Sequence, residues 1–105
     1  MAEIKIRDRF WNPLYMEVKK FKAKKKIVQN DGAENGLYVN FIDNRCYIFI
    51  LSQISKTNGC YTKYVYANRH TAISTEDKVD KLMICLPTKL ATVYEWDGTI
   101  WNEVK

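Results

Sequence analysis

A hydrolytic centre needs a base, and this 105-residue chain has one histidine, His70, in the polar stretch Ala67-Asn68-Arg69-His70-Thr71. Thr71 and Ser74 are the nearest hydroxyls, and Glu76 and Asp77 the nearest carboxylates. Nucleophile, base and orienting acid are defined by mutual geometry, which this spacing does not impose. His70 therefore reads as a solvated loop residue. The three cysteines, Cys46, Cys60 and Cys85, are odd in number and show no CxxC spacing. They read as small buried hydrophobes in a reducing compartment, not as a disulfide framework or a zinc site. The run Asp31-Gly32-Ala33-Glu34-Asn35-Gly36 lacks the alternating carboxylates and closing glutamate of a calcium loop. Glu95 and Glu103 fall on opposite sides of their predicted hairpin, which argues against a facing acid/base pair. None of the four glycines stands in a phosphate-loop pattern. The expectation is a chain with no catalytic residue, metal, cofactor or small-molecule substrate.

Two groups of side chains have non-covalent chemistry to offer. The first is positive charge. Residues 1–26 hold nine Lys or Arg against three Asp or Glu, whereas residues 27–105 hold eight against nine. The net charge of +5 thus belongs to the first quarter of the chain. Within it, Lys19, Lys20, Lys22, Lys24, Lys25 and Lys26 crowd into eight residues, with Arg7, Arg9, Phe10 and Trp11 upstream. Such a segment attracts polyanions or an acidic protein surface. Interleaved with aromatics, it also suits a single nucleic-acid strand, the lysines tracking phosphates while Phe21, Trp11 or tyrosines stack on bases. The plain alternative is a solvated edge. The second group is Tyr94, Trp96 and Trp101, on one face of a C-terminal hairpin. Exposed, they form a platform for sugar rings, bases or a partner protein; covered, as is more common, they form a cross-strand cluster of the core.

The elements that must position these groups are mostly strands. Ile4 and Ile6 alternate with Lys5 and Arg7, and Leu14, Met16 and Val18 alternate with Tyr15, Glu17 and Lys19. Asn12-Pro13 marks a turn between them. Lys and Ala in the lysine run allow a helix, but the run lacks a 3.6-residue apolar period, which favours an extended, solvated edge strand whose charges discourage edge-to-edge pairing. Residues 37–42 and 45–51 form the clearest unit, a hairpin turning at Asp43-Asn44. Its register pairs Phe41 with Cys46, Val39 with Ile48 and Leu37 with Ile50. Both of its faces are apolar, which predicts a central position covered on both sides. Lys56–Gly59 reads as a turn, Cys60–Ala67 as a strand, and Leu82–Leu86 as a strand stopped by Pro87. Ser74 with Asp77 resembles a capping box and predicts a short helical turn over 75–81. Ala91–Val104 is a hairpin about Asp97-Gly98, whose predicted two-residue turn sets Tyr94 opposite Trp101, Trp96 opposite Thr99, Glu95 opposite Ile100 and Glu103 opposite Thr92.

Together these features predict an all-β fold, a small antiparallel sandwich or barrel of about six to eight strands. Length and the scarcity of Gly and Pro predict one domain over 1–105, with 1–26 as a basic arm or edge segment. The N-terminus is too polar for a signal peptide, and the longest apolar run, Cys46–Leu51, is far short of a membrane span. The expected place of synthesis is the cytoplasm, with no membrane partner.

The segment from Leu86 to Trp101 resembles a pattern found in virion proteins of tailed bacteriophages, where small β modules contain a Tyr-x-x-Asp-Gly-Thr-x-Trp hairpin. Here the matching residues are Tyr94, Asp97, Gly98, Thr99 and Trp101. The resemblance covers the last fifth of the chain. It implies a structural protein of the virion, a head-fibre, tail-fibre or capsid-decoration unit, acting as a homo-oligomer attached to another virion protein, with the basic N-terminal quarter as the anchor.

Overall fold

The computed structural model describes residues 2–31, 36–68 and 78–104. It is a two-sheet β-sandwich with one helix. In chain order the elements are β1 (Ala2–Arg7), β2 (Leu14–Glu17), α1 (Val18–Asp31), β3 (Leu37–Ile42), β4 (Arg45–Ile50), β5 (Tyr61–Asn68), β6 (Lys78–Leu86), β7 (Thr92–Trp96) and β8 (Trp101–Val104). One sheet has five strands in the order β1-β3-β4-β7-β8, and the other has three in the order β2-β6-β5. All pairings are antiparallel except β1 with β3, which is parallel. Parallel neighbours need a crossover, here supplied by β2 and α1. Residues 2–7 are thus no detached arm but an edge strand of the large sheet.

The core lies between the sheets. Tyr38, Ile42, Tyr47 and Phe49 project from the large sheet, while Leu14, Met16, Ile84 and Leu86 project from the small one. Leu14, Cys85 and Leu86 are completely buried. Leu51, Ile54 and Cys60 close one end, where two short 3-10 turns, Leu51–Gln53 and Lys56–Asn58, link β4 to β5. Gly59 ends the second turn at φ 87°, a left-handed conformation that favours glycine. All three cysteines are free and buried, as their type predicted.

The central hairpin has the predicted register, with Phe41 opposite Cys46, Val39 opposite Ile48 and Leu37 opposite Ile50. Its turn holds Asp43 at φ 53°, a conformation Asp tolerates in two-residue hairpin turns.

Three local expectations are overturned. The lysine run is not an extended edge strand but the body of α1. Lysine and alanine are good helix formers, and among the described side chains Val18 and Phe21, one turn apart, anchor the helix against the core. The turn predicted over 75–81 is not helical at its C-terminal end, since residues 78–81 belong to β6, paired with β5 from Asn68↔Lys78 onward. Residues 75–77 lie outside the described residues, as do His70, Thr71, Ser74, Glu76, Asp77 and most of the Asp31–Gly36 run. The C-terminal hairpin is shifted by two residues: Trp96 faces Trp101, Glu95 faces Asn102 and Tyr94 faces Glu103. The connection is therefore four residues, 97–100, and the Asp97 carboxylate organises it. Its Oδ1 accepts from the backbone N–H groups of Thr99 (2.8 Å) and Ile100 (2.9 Å), and its Oδ2 from Asn102 Nδ2 (2.9 Å).

Candidate functional site: an open sheet face and a cationic cleft

Side chains alternate across a strand, and residues directly opposite on neighbouring strands share a face. The registers therefore sort the large sheet into an inner face, already described as core, and an outer one. The outer face carries Ala2, Ile4 and Ile6 from β1, Leu37, Val39 and Phe41 from β3, and Cys46, Ile48 and Ile50 from β4. It continues with Thr92, Tyr94 and Trp96 from β7 and Trp101 and Glu103 from β8. Glu103 is its only charged position.

The central hairpin's share of this face is buried or half-buried, as its composition predicted, whereas the strands that flank it are open. Ile4 is 61% exposed and Ile6 86%, at one edge of the sheet, while Trp96 and Trp101 are 40% and 42% exposed at the other. Between them runs an apolar floor in which Val39 and Cys46 are buried and Leu37, Phe41, Ile48 and Ile50 half-buried. Trp101 lies 5.5 Å from Trp96 and 5.9 Å from Phe41, centroid to centroid. Phe41 and Trp101 sit on strands separated by two others, so their rings reach toward one another over the sheet, and Cys46 between them is buried. The Trp96 and Trp101 rings are inclined by 54° and do not make one plane. Tyr94 is half-buried beside them. The two carboxylates of this hairpin lie on opposite faces, Glu103 with the tryptophans and Glu95 with Val93, and Glu95 is engaged by Arg45 at 3.4 Å.

The basic residues lie elsewhere, and they divide. Lys20 and Lys24, one helical turn apart, both turn to Glu3 on β1, at 3.9 and 3.4 Å. Lys19, Lys22, Lys25 and Lys26 are exposed, with Lys25 Nζ 5.6 Å from the centre of the Phe21 ring. Phe21 packs against the core, so it is not a free stacking residue. Arg9 and Trp11 are exposed on the segment between β1 and β2. Arg7, predicted as an outward contact, turns inward. Its Nε donates to Asn40 Oδ1 (2.7 Å), and its Nη2 donates to the Tyr15 carbonyl (2.8 Å) and the Tyr38 hydroxyl (2.8 Å). The Tyr38 hydroxyl in turn donates to the same Tyr15 carbonyl at 2.7 Å. Burial raises the Tyr38 phenol above its ordinary value, against the pull of Arg7, which keeps it a donor at neutral pH. This network ties β1, β2 and β3 together across the two sheets. Asn40 is wholly buried, and its Nδ2 has no acceptor among the described residues. Exchanging its amide atoms would only set a donor against Arg7.

Arg7 also borders a cleft of about 310 Å³ between the sheets. Lys5, Lys20 and Lys81 line it as well, with Glu17 as its acid. Lys81 Nζ lies 2.9 Å from Glu17 Oε1. Burial would raise the Glu17 carboxyl, but the Lys81 ammonium, helped by Lys20 and Lys5, outweighs it and leaves it below the usual range. The Lys5 ammonium is pushed the other way, lowered first by burial and then by the neighbouring Lys20. Sequence reasoning grouped the lysines of the run with Arg7 and Arg9. It missed Lys5 and Lys81, because only the pairing of β1 with β3 and of β6 with β2 brings these distant positions to one cleft.

Among the described residues, no group of three or more His, Cys, Asp or Glu is placed to hold a metal ion, and no helix is long and apolar enough to cross a membrane. Comparison with protein-family models, with curated proteins and with solved structures finds no match for this chain.

Proposed function

We propose that this chain is a non-enzymatic structural module that assembles with copies of itself through the outer face of its five-stranded sheet. The carrying observation is that this face holds one charged position in five strands and leaves Ile4, Ile6, Trp96 and Trp101 open. A contiguous apolar surface spanning a whole sheet marks an interaction site. A second sheet face of the same kind is its natural cover, since sheets pack face to face by interdigitating such side chains. The face offers no charge pattern to select a different partner, and an isologous contact needs none. The resemblance of the C-terminal hairpin to tailed-phage modules gives the context: a fibre or capsid-decorating component of a virion, working by shape. In that reading the exposed lysines of α1, on the other side of the sheet, are free to contact a second virion protein.

The single-strand nucleic-acid reading has less support. Phe21, one of its stacking residues, packs against the core, and two of its lysines, Lys20 and Lys24, turn to Glu3. The glycan reading needs a flat platform, and the tryptophan rings are inclined. Light scattering at micromolar concentration tests the proposal. The expected result is a dimer or larger closed assembly, reduced to monomer by Ile6→Lys combined with Trp101→Lys, both at exposed positions. A monomeric wild-type chain would overturn it.

A further inference from the structure

The cleft between the sheets has a composition that self-assembly through the outer face does not use. Lys5, Arg7, Lys20 and Lys81 converge on it from β1, α1 and β6. Against these four cations stand two carboxylates, Glu17 inside and Glu3 at the rim, and Glu3 is shared with Lys24 outside the cleft. The cleft therefore holds about two positive charges in excess. Like charges drawn together in a half-buried space repel, and such an arrangement is stable only when something compensates it.

We infer that this cleft binds a phosphate dianion, free or as the head of a small phosphomonoester. Two negative charges match the excess. The donors suit a tetrahedral oxyanion: the ammoniums of Lys5 and Lys20, which share the lining, and an arginine whose plane is already fixed. Arg7 uses Nε and Nη2 to hold Asn40, Tyr15 and Tyr38, so Nη1 is not needed for those bonds. A guanidinium held in place by such bonds at the wall of a cleft is preorganised for an oxyanion. Lys81 is held by Glu17, which keeps it at the wall and lends long-range charge. The remaining lining includes Val65 and Met83. The volume exceeds that of one phosphate, which leaves room for a small apolar body against these two side chains. The depressed ammonium of Lys5 fits the same picture, since a bound dianion would restore its proton affinity.

The inference is independent of the assembly reading, because the lining of the cleft shares no residue with the outer face. Titration calorimetry of the full chain with inorganic phosphate, at fixed ionic strength maintained with chloride, provides the test. Saturable binding at one site per chain is expected. Lys5→Met and Lys20→Met, which leave the Arg7 network in place, should each weaken it about tenfold or more, the loss of one charge-assisted contact. Lys25→Met with Lys26→Met, on the exposed side of α1, should leave it unchanged. Phenyl phosphate serves as a second ligand. Tighter binding than phosphate identifies a phosphomonoester, and equal binding identifies the free ion. No saturable binding at millimolar phosphate would overturn the inference, as would equal weakening by the Lys25 and Lys26 substitutions. Circular dichroism of each variant separates a lost ligand contact from a lost fold.

Discussion

Arg7 shows how one residue can be misassigned by its type and placed by its partners. In the sequence it is one of nine basic residues near the N-terminus. In the fold its guanidinium joins Asn40, Tyr38 and Tyr15 across two sheets. Nothing in the spacing foretells this, because the contacts span up to 33 positions and depend on the parallel pairing of β1 with β3. The cysteines, by contrast, were legible, since a free Cys without metal or disulfide spacing has little to do but pack. Tyr38 gives the residue-scale test. Its hydroxyl is buried, donates to Tyr15 and accepts from Arg7. Tyr38→Phe keeps the ring against Phe49 but leaves one fewer acceptor for the guanidinium, at a cost of about 1–2 kcal/mol. Urea denaturation should show that loss as a lower midpoint with an unchanged slope. A fully wild-type midpoint would mean that the hydroxyl is idle.

At the scale of elements, the central hairpin was readable and the flanking ones were not, for reasons of local chemistry. Residues 37–50 carry two alternating apolar faces about an Asp-Asn turn, which leaves one register. The lysine run misled because part of its packing is polar: Val18 and Phe21 dock on the core, while Lys20 and Lys24 are drawn to Glu3 on β1. A search for an apolar stripe cannot see an ion pair as part of the buried side. The C-terminal hairpin misled because Asp97 uses its side chain, not only its backbone. By accepting from Thr99, Ile100 and Asn102 it stabilises a four-residue loop in place of the tight turn that Asp-Gly suggests. The backbone N–H of Ile100, the Asn102 amide and the Thr99 N–H together hold its carboxyl below the usual aspartate value of 3.8. A depressed folded-state pKa contributes stability above the unfolded value and loses it as pH falls through the folded one. Asp97→Ala should therefore lower the thermal midpoint at pH 7, and the gap to wild type should close on acidification below 3.8. Parallel melting curves from neutral to strongly acidic pH would show it, and a gap that stays constant would refute the loop-organising role.

For the molecule as a whole, the sandwich class followed from the number of strands and the short loops between them, whereas the division into five and three strands did not. Which sheet a strand joins is decided by long-range pairing: β5 and β6 leave the large sheet between β4 and β7 and meet β2 instead. Composition did flag the unusual feature, two apolar faces on one hairpin, and the side chains of both its strands are buried or half-buried. At this scale the proposed assembly predicts a melting temperature that rises with protein concentration, because association favours the folded chain by mass action. Calorimetric scans over a hundredfold dilution should reveal the trend in the wild type and abolish it in the Ile6→Lys, Trp101→Lys double variant.

The same backbone of β3 and β4 carries the core on one side and the middle of the apolar floor on the other. Whatever settles on that floor therefore also stiffens the interior. Amide protons of Val39, Phe41, Cys46 and Ile48 should exchange with solvent more slowly as the chain becomes crowded with its own kind, although their side chains point away from the core. A module built in this way would be at its most durable only after it has been incorporated.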